Sequence, residues 1–142
     1  MNLLYWDTEN INNLNTEKEF PNVKFYIGHA VYAKPFHDIS SRLKPNPIII
    51  KKHQLYGYGP DVADIHLLSL LHQDILNLGK ENTFYLATKD KLLTYRFVNV
   101  ARSCGIKASN IKYLYTSDEV RTRSARGDEL LEKKNLNNQQ TN

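Results

Sequence analysis

Five short apolar runs, spaced by connections and helix-patterned stretches, constrain this chain more than any other feature. They are "LLYW" (residues 3–6), "VKFYIGHAVY" (23–32), "PIIIKKHQLY" (47–56), "TFYLAT" (83–88) and "IKYLYT" (111–116). Their β-branched and aromatic content predicts strands. "PFHDISSRLK" (35–44) predicts a short helix opened by a proline. Residues 59–79 predict the clearest helix. Pro60 fits its first position, Gly79 its stop, and Ile65, Leu68, Leu71, His72 and Ile75 recur at helical spacing. Residues 90–105 predict a third helix, again ending on glycine. Short apolar strands alternating with helices require a mainly parallel sheet covered on both faces. Right-handed crossovers leave few arrangements. The simplest is a doubly wound, three-layer α/β fold with five strands in the order 3-2-1-4-5, strand 1 in the middle.

The chain has 142 residues, 41% of them hydrophobic and 24% charged, which suits one soluble domain with a real core. That domain is expected over 1–117. From Asp118 large apolar residues become scarce, the charges cancel, and an Asn/Gln-rich end follows, so 118–142 reads as a loosely attached tail. The net charge of +4 is compatible with a polyanionic partner without demanding one. The single cysteine, Cys104, permits no disulfide within the chain, suits a reducing compartment and reads as core filler. The N-terminal apolar run lacks a basic flank and is too short for a signal peptide, and no stretch approaches a membrane span. The expected location is cytoplasmic, without a membrane partner.

In an open parallel sheet, ligands bind beyond the carboxyl ends of the strands, where strand order reverses. Here that point lies between strands 1 and 4. Asp7 ends strand 1, and Asp90 follows strand 4 in "LATKD". The helix after strand 3 begins at the same edge and carries Asp61 and Asp64. Acidic residues are also favoured in a first helical turn simply to complement the macrodipole, which accounts for Asp61. It accounts less well for Asp64, a full turn in and beside the face expected to be buried, where a carboxylate is costly without compensation. Carboxylates brought together repel and raise one another's pKa unless a cation lies between them. Oxygen-only ligands suit Mg²⁺ or Mn²⁺, which activate water and neutralise charge on a phosphodiester. Zinc is disfavoured: the five histidines show no paired metal spacing, and one cysteine makes no cluster. His29 follows strand 2 closely enough to approach the site.

"DTEN" after the first strand, "DVADIHL" opening the long helix, and "LATKD" before a helix running to "SCGIK" together resemble the NYN branch of the PIN-like ribonucleases. The family pattern is an apolar strand into D-x-x-N, a helix beginning near A-D-I-x-L, then a strand into S-x-D-x-D-F. The resemblance spans residues 2–116 and implies a metal-dependent endoribonuclease. Asp7 and Asn10 match the first motif, Asp64 the helix carboxylate, and Asp90 the first aspartate of the third motif. Thr88 stands where that motif has serine. Asn10 would orient Asp7 or a water, although asparagine in such a turn also caps the next segment. Two acidic positions of the family pattern fall on Leu70 and Leu92, and its phenylalanine on Leu93. Glu9, Asp61 or Asp118 would substitute in part. The competing expectation is therefore a catalytically impaired domain of this fold that binds RNA or docks a protein.

Lys89 and Lys91 bracket Asp90 and are candidate contacts to substrate phosphates; the plainer reading is a solvated surface, which is preferred for Lys51 and Lys52. Tyr56 and Tyr58, in "YGYG", suit stacking on unpaired bases, so single-stranded RNA is the expected partner; they equally suit ordinary loop aromatics. A homodimer or a protein partner is compatible with all of this. A receiver domain would need an aspartate ending strand 3, where "HQLYGYG" stands. A haloacid-dehalogenase-type phosphatase would need one two residues after Asp7, where Glu9 stands. No glycine-rich phosphate loop follows strand 1.

Overall fold

The computed structural model describes residues 1–33, 39–45, 47–57 and 61–114. The expected tail, 118–142, lies outside the described residues, as do Pro60, Tyr58, residues 35–38 and residues 115–116.

Five parallel strands form one sheet: β1 Asn2–Asp7, β2 Ile27–Tyr32, β3 Ile49–Gln54, β4 Thr83–Ala87 and β5 Ile111–Tyr113. Their spatial order is β3-β2-β1-β4-β5, the expected one. β1 holds the centre because its four apolar side chains are inaccessible on both faces: Leu3, Leu4 and Tyr5 at 0% and Trp6 at 1% exposure. Each large apolar side chain so buried stabilises the fold by about 1.5–3 kcal/mol. The strands are shorter than their apolar runs suggest. Residues 23–26 form no strand, and Phe25 instead packs into a core.

Side chains alternate across a strand, so the sheet has two cores. Leu3 and Tyr5 face α2, Val62–Leu78, and α3, Lys91–Ser103, in a cluster with Leu67, Leu71, Ile75, Leu93 and Phe97. Leu4 and Trp6 face the opposite layer. Among the described residues that layer is built from Ile11, Leu14, Phe20, Phe25, Ile39 and Leu43 around a one-turn helix, α1, Thr16–Glu19. Phe20, Phe25 and Tyr85 meet edge-on there at 4.9–5.8 Å. The helix expected over 35–44 does not form in its described part. Ser40–Arg42 make a single 3₁₀ turn, and Leu43–Lys44 then pair with Leu14–Asn15. Lys44 precedes Pro45, which disfavours helical backbone at the residue before it.

α2 also differs from expectation. It starts at Val62, with Asp61 in its cap position, and its buried line is Asp64, Leu67, Leu71 and Ile75. Ile65 is 64% exposed and His72 is exposed. The helix is turned so that Asp64 lies on its buried face. Gly79 closes the helix at φ 92°, its N–H bonded to the Ile75 carbonyl at 3.1 Å. Cys104 is partly buried against the α2–α3 core, as filler. Among the described residues no helix is long and apolar enough to cross a membrane.

Candidate active site at the carboxyl edge of the sheet

β1 ends on Asp7, which shares the parity of Leu3 and Tyr5 and so belongs to the α2–α3 face. The residue is 1% exposed. Its carboxylate organises the turn that follows. Asn10 Nδ2 donates to Oδ2 at 2.5 Å, Glu9 N to Oδ1 at 3.3 Å, and Thr88 Oγ1, from the end of β4, to Oδ2 at 3.3 Å. Burial pushes the Asp7 carboxyl above the usual carboxylate range, and the bonds from Asn10, Glu9 and Thr88 only partly oppose it. Asn10 therefore both orients Asp7 and fixes the turn. Glu9 is committed elsewhere: its Oε1 accepts Ala33 N at 2.9 Å.

Asp90 is the N-cap of α3. Its Oδ1 accepts Leu92 N at 2.9 Å and Leu93 N at 3.3 Å, and Thr88 Oγ1 accepts the Asp90 N–H at 3.1 Å. Thr88 thus links Asp7 to Asp90. Asp64 comes from the first turn of α2, its side chain 7% exposed. Burial, then the nearby Asp90 charge, raise its carboxyl above the usual range, with Arg96 opposing. Arg96 was not expected at the site. Its Nη1 donates to Asp64 Oδ2 at 2.9 Å and to Asp61 Oδ1 at 2.8 Å. Asp61 has left-handed backbone, φ 75°, and its side chain faces Arg96 and makes no cap bond to α2.

Asp7, Glu9, Asn10, Asp61, Asp64 and Asp90 line one pocket of about 280 Å³, closed by Ala33 and Leu55 from beyond β2 and β3. Side chains far apart in sequence therefore share one cavity at the carboxyl edge. Lys89 and Lys91 are exposed and are not among the lining residues. Leu92, at an expected acidic position, is 49% exposed. Leu70, at the other, is partly buried against the core. The donors are all oxygen, which suits a hard divalent ion, and buried Asp7 has no ion-pair partner among the described residues. As the side chains stand, no group of three or more His, Cys, Asp or Glu among the described residues is placed to hold a metal ion. The donor chemistry fits such an ion; the carboxylates are not gathered around one, and Asp64 is turned to Arg96.

A second polar cluster lies under α2, outside the pocket lining. His29 is inside β2 at 2% exposure and does not line the site. Asp74 Oδ2 accepts Tyr5 Oη–H at 2.6 Å and pairs with His29 Nε2 at 2.7 Å, while His29 Nδ1 meets His53 Nε2 at 2.9 Å. Burial works against the Asp74 charge, but bonds from His29 and Tyr5 outweigh it and hold the carboxyl below the usual range. The tyrosine is pushed far up, by burial first and then by Asp74, and stays a donor. An ionised carboxylate only accepts, so His29 Nε2 is the donor toward Asp74. The sequence signal was present: Tyr5 and His29 are polar groups in apolar strands, and Asp74 falls three residues after Leu71 on the buried line of α2.

His53 is lowered to about 4 by burial, then by the His29, His66 and Lys51 charges. Its folded value lies below the unfolded one, so the stabilisation is complete above about pH 6.5 and is lost as pH falls toward 4. Discounted for its partial exposure, the loss is about 1–2 kcal/mol. Urea midpoints measured from pH 7.5 to 4.5 are expected to fall less steeply in His53→Gln, whose amide can still pair with His29, than in the wild type.

No family model matches the chain, and no curated protein or solved structure matches it either.

Proposed function

We propose that this chain is a metal-dependent endoribonuclease of the PIN-like type, hydrolysing phosphodiester bonds in single-stranded RNA. One observation carries the proposal: Asp7, Asp64 and Asp90, from three distant segments, line a single pocket at the carboxyl edge of a parallel sheet. These three would hold Mg²⁺ or Mn²⁺. A bound ion supplies Lewis acidity at a phosphoryl oxygen and a lowered pKa for water. Asn10 keeps Asp7 in one orientation, and Thr88 couples it to the Asp90 turn. Arg96, on the rim at 36% exposure, adds positive charge where an RNA phosphate would approach.

Leu70 and Leu92, at two acidic positions of the family pattern, favour a second reading: an RNA-binding or protein-docking domain without catalysis. A labelled single-stranded RNA separates the two. The nuclease reading expects cleavage in Mn²⁺ or Mg²⁺ that EDTA abolishes and excess Mn²⁺ restores. RNA retained by the protein but left intact in both ions would decide for the second reading.

A further inference from the structure

A side chain with 7% exposure rarely carries a charge without a partner, and Asp64 has one. Among the described residues Arg96 is the cation hydrogen-bonded to it, and the same Nη1 also binds Asp61. The guanidinium therefore stands where positive charge is needed by the pocket's α2 wall. Its placement follows from the packing of α3 against α2: Asp90 caps α3, and Arg96 lies six residues on, facing the start of α2. Arg96 itself is 36% exposed, so solvent is at hand if it leaves.

We infer that Arg96 is a resident counter-cation of the carboxylate pocket, and that a divalent ion must displace it from Asp64 in order to bind. The inference rests on the proposed metal-binding role of Asp7, Asp64 and Asp90. Arg96 bonds Asp64 Oδ2, and a guanidinium at hydrogen-bond distance would repel a doubly charged ion on the same carboxylate. With Asp64 turned to Arg96, no group of three donors is gathered among the described residues. Displacement also makes loading reciprocal: whatever the ion loses by expelling Arg96, a second anion able to take the freed guanidinium restores. An RNA phosphate is such an anion, so RNA and metal would each strengthen the other's binding.

Mn²⁺ binding to the full chain, followed by loss of the free-ion EPR signal, tests this without reference to activity. Arg96→Gln is expected to bind Mn²⁺ about tenfold more tightly than the wild type, within the usual span of coupling between sites. Arg96→Lys, which keeps the charge, is expected to stay within about threefold of the wild type. A glutamine variant that binds no tighter, while Asp7→Asn still abolishes binding, overturns the inference and leaves the metal site standing. So does a lysine variant as tight as the glutamine one, because charge would then not be the cause. Absence of Mn²⁺ binding in the wild type and in all variants would instead remove the metal reading itself, and this inference with it.

Discussion

Asp7→Asn is expected to lower RNA cleavage at least ~100-fold, the scale of losing one essential electrostatic group at a reacting centre, and to leave the ion-free protein no less stable. The two halves have one cause. Asp7 is buried at the end of the central strand, and burial raises its carboxyl pKa. Below the usual carboxylate range it is neutral in both folded and unfolded chains. Above its raised folded value it is charged in both, and the native state then carries the larger desolvation cost. At neutral pH an asparagine removes that cost. Its amide oxygen still accepts from the Asn10 side chain and Thr88, while the bond from Glu9 N to the other carboxylate oxygen is lost. The melting temperature without metal should therefore hold or rise, as is common where a site gives up stability for function. With Mn²⁺ present the order reverses, because the wild type gains binding energy and the variant does not. Undiminished cleavage by Asp7→Asn would remove Asp7 from the chemistry. Lost cleavage accompanied by a large fall in melting temperature would mean that the aspartate serves the turn instead.

The strand order and the placing of Asp7, Asp64 and Asp90 along one pocket were legible in the sequence for one reason. In a parallel sheet the strands end and the following helices begin at one edge, so a carboxylate ending β1, one opening α2 and one capping α3 share it. The phase of α2 was less legible. Ile65, Leu67, Leu68, Leu70, Leu71, Ile75, Leu76 and Leu78 put apolar residues on nearly every side, so periodicity admits more than one buried line. Packing on Tyr5 and Phe97 selects Leu67, Leu71 and Ile75, which draws in Asp64 and leaves Ile65 outside. The Arg96 contacts were out of reach of local pattern altogether. They join residues 32 and 35 apart through the packing of two helices, and no propensity encodes that.

The polar cluster under α2 should matter to the fold and not to the chemistry, and Asp74→Ala separates the two. The substitution removes the acceptor shared by Tyr5 Oη–H and His29 Nε2–H, donors on residues that are 0% and 2% exposed. A buried donor left without a partner costs about 1–3 kcal/mol, so two such donors imply a loss of about 3 kcal/mol. For a chain of this size that lowers the melting temperature by roughly 10 °C. Tyr5→Phe should cost less, about 1 kcal/mol, because His29 still satisfies the carboxylate. The double variant should lose less than the sum of the two, since the tyrosine hydroxyl stranded by Asp74→Ala is no longer there to strand. Cleavage per folded molecule, measured well below the lowered melting temperature, should stay at the wild-type level because Asp74 does not line the pocket. If folded Asp74→Ala fails to cut RNA, the cluster does reach the pocket, through the setting of α2 and of Asp64 on it.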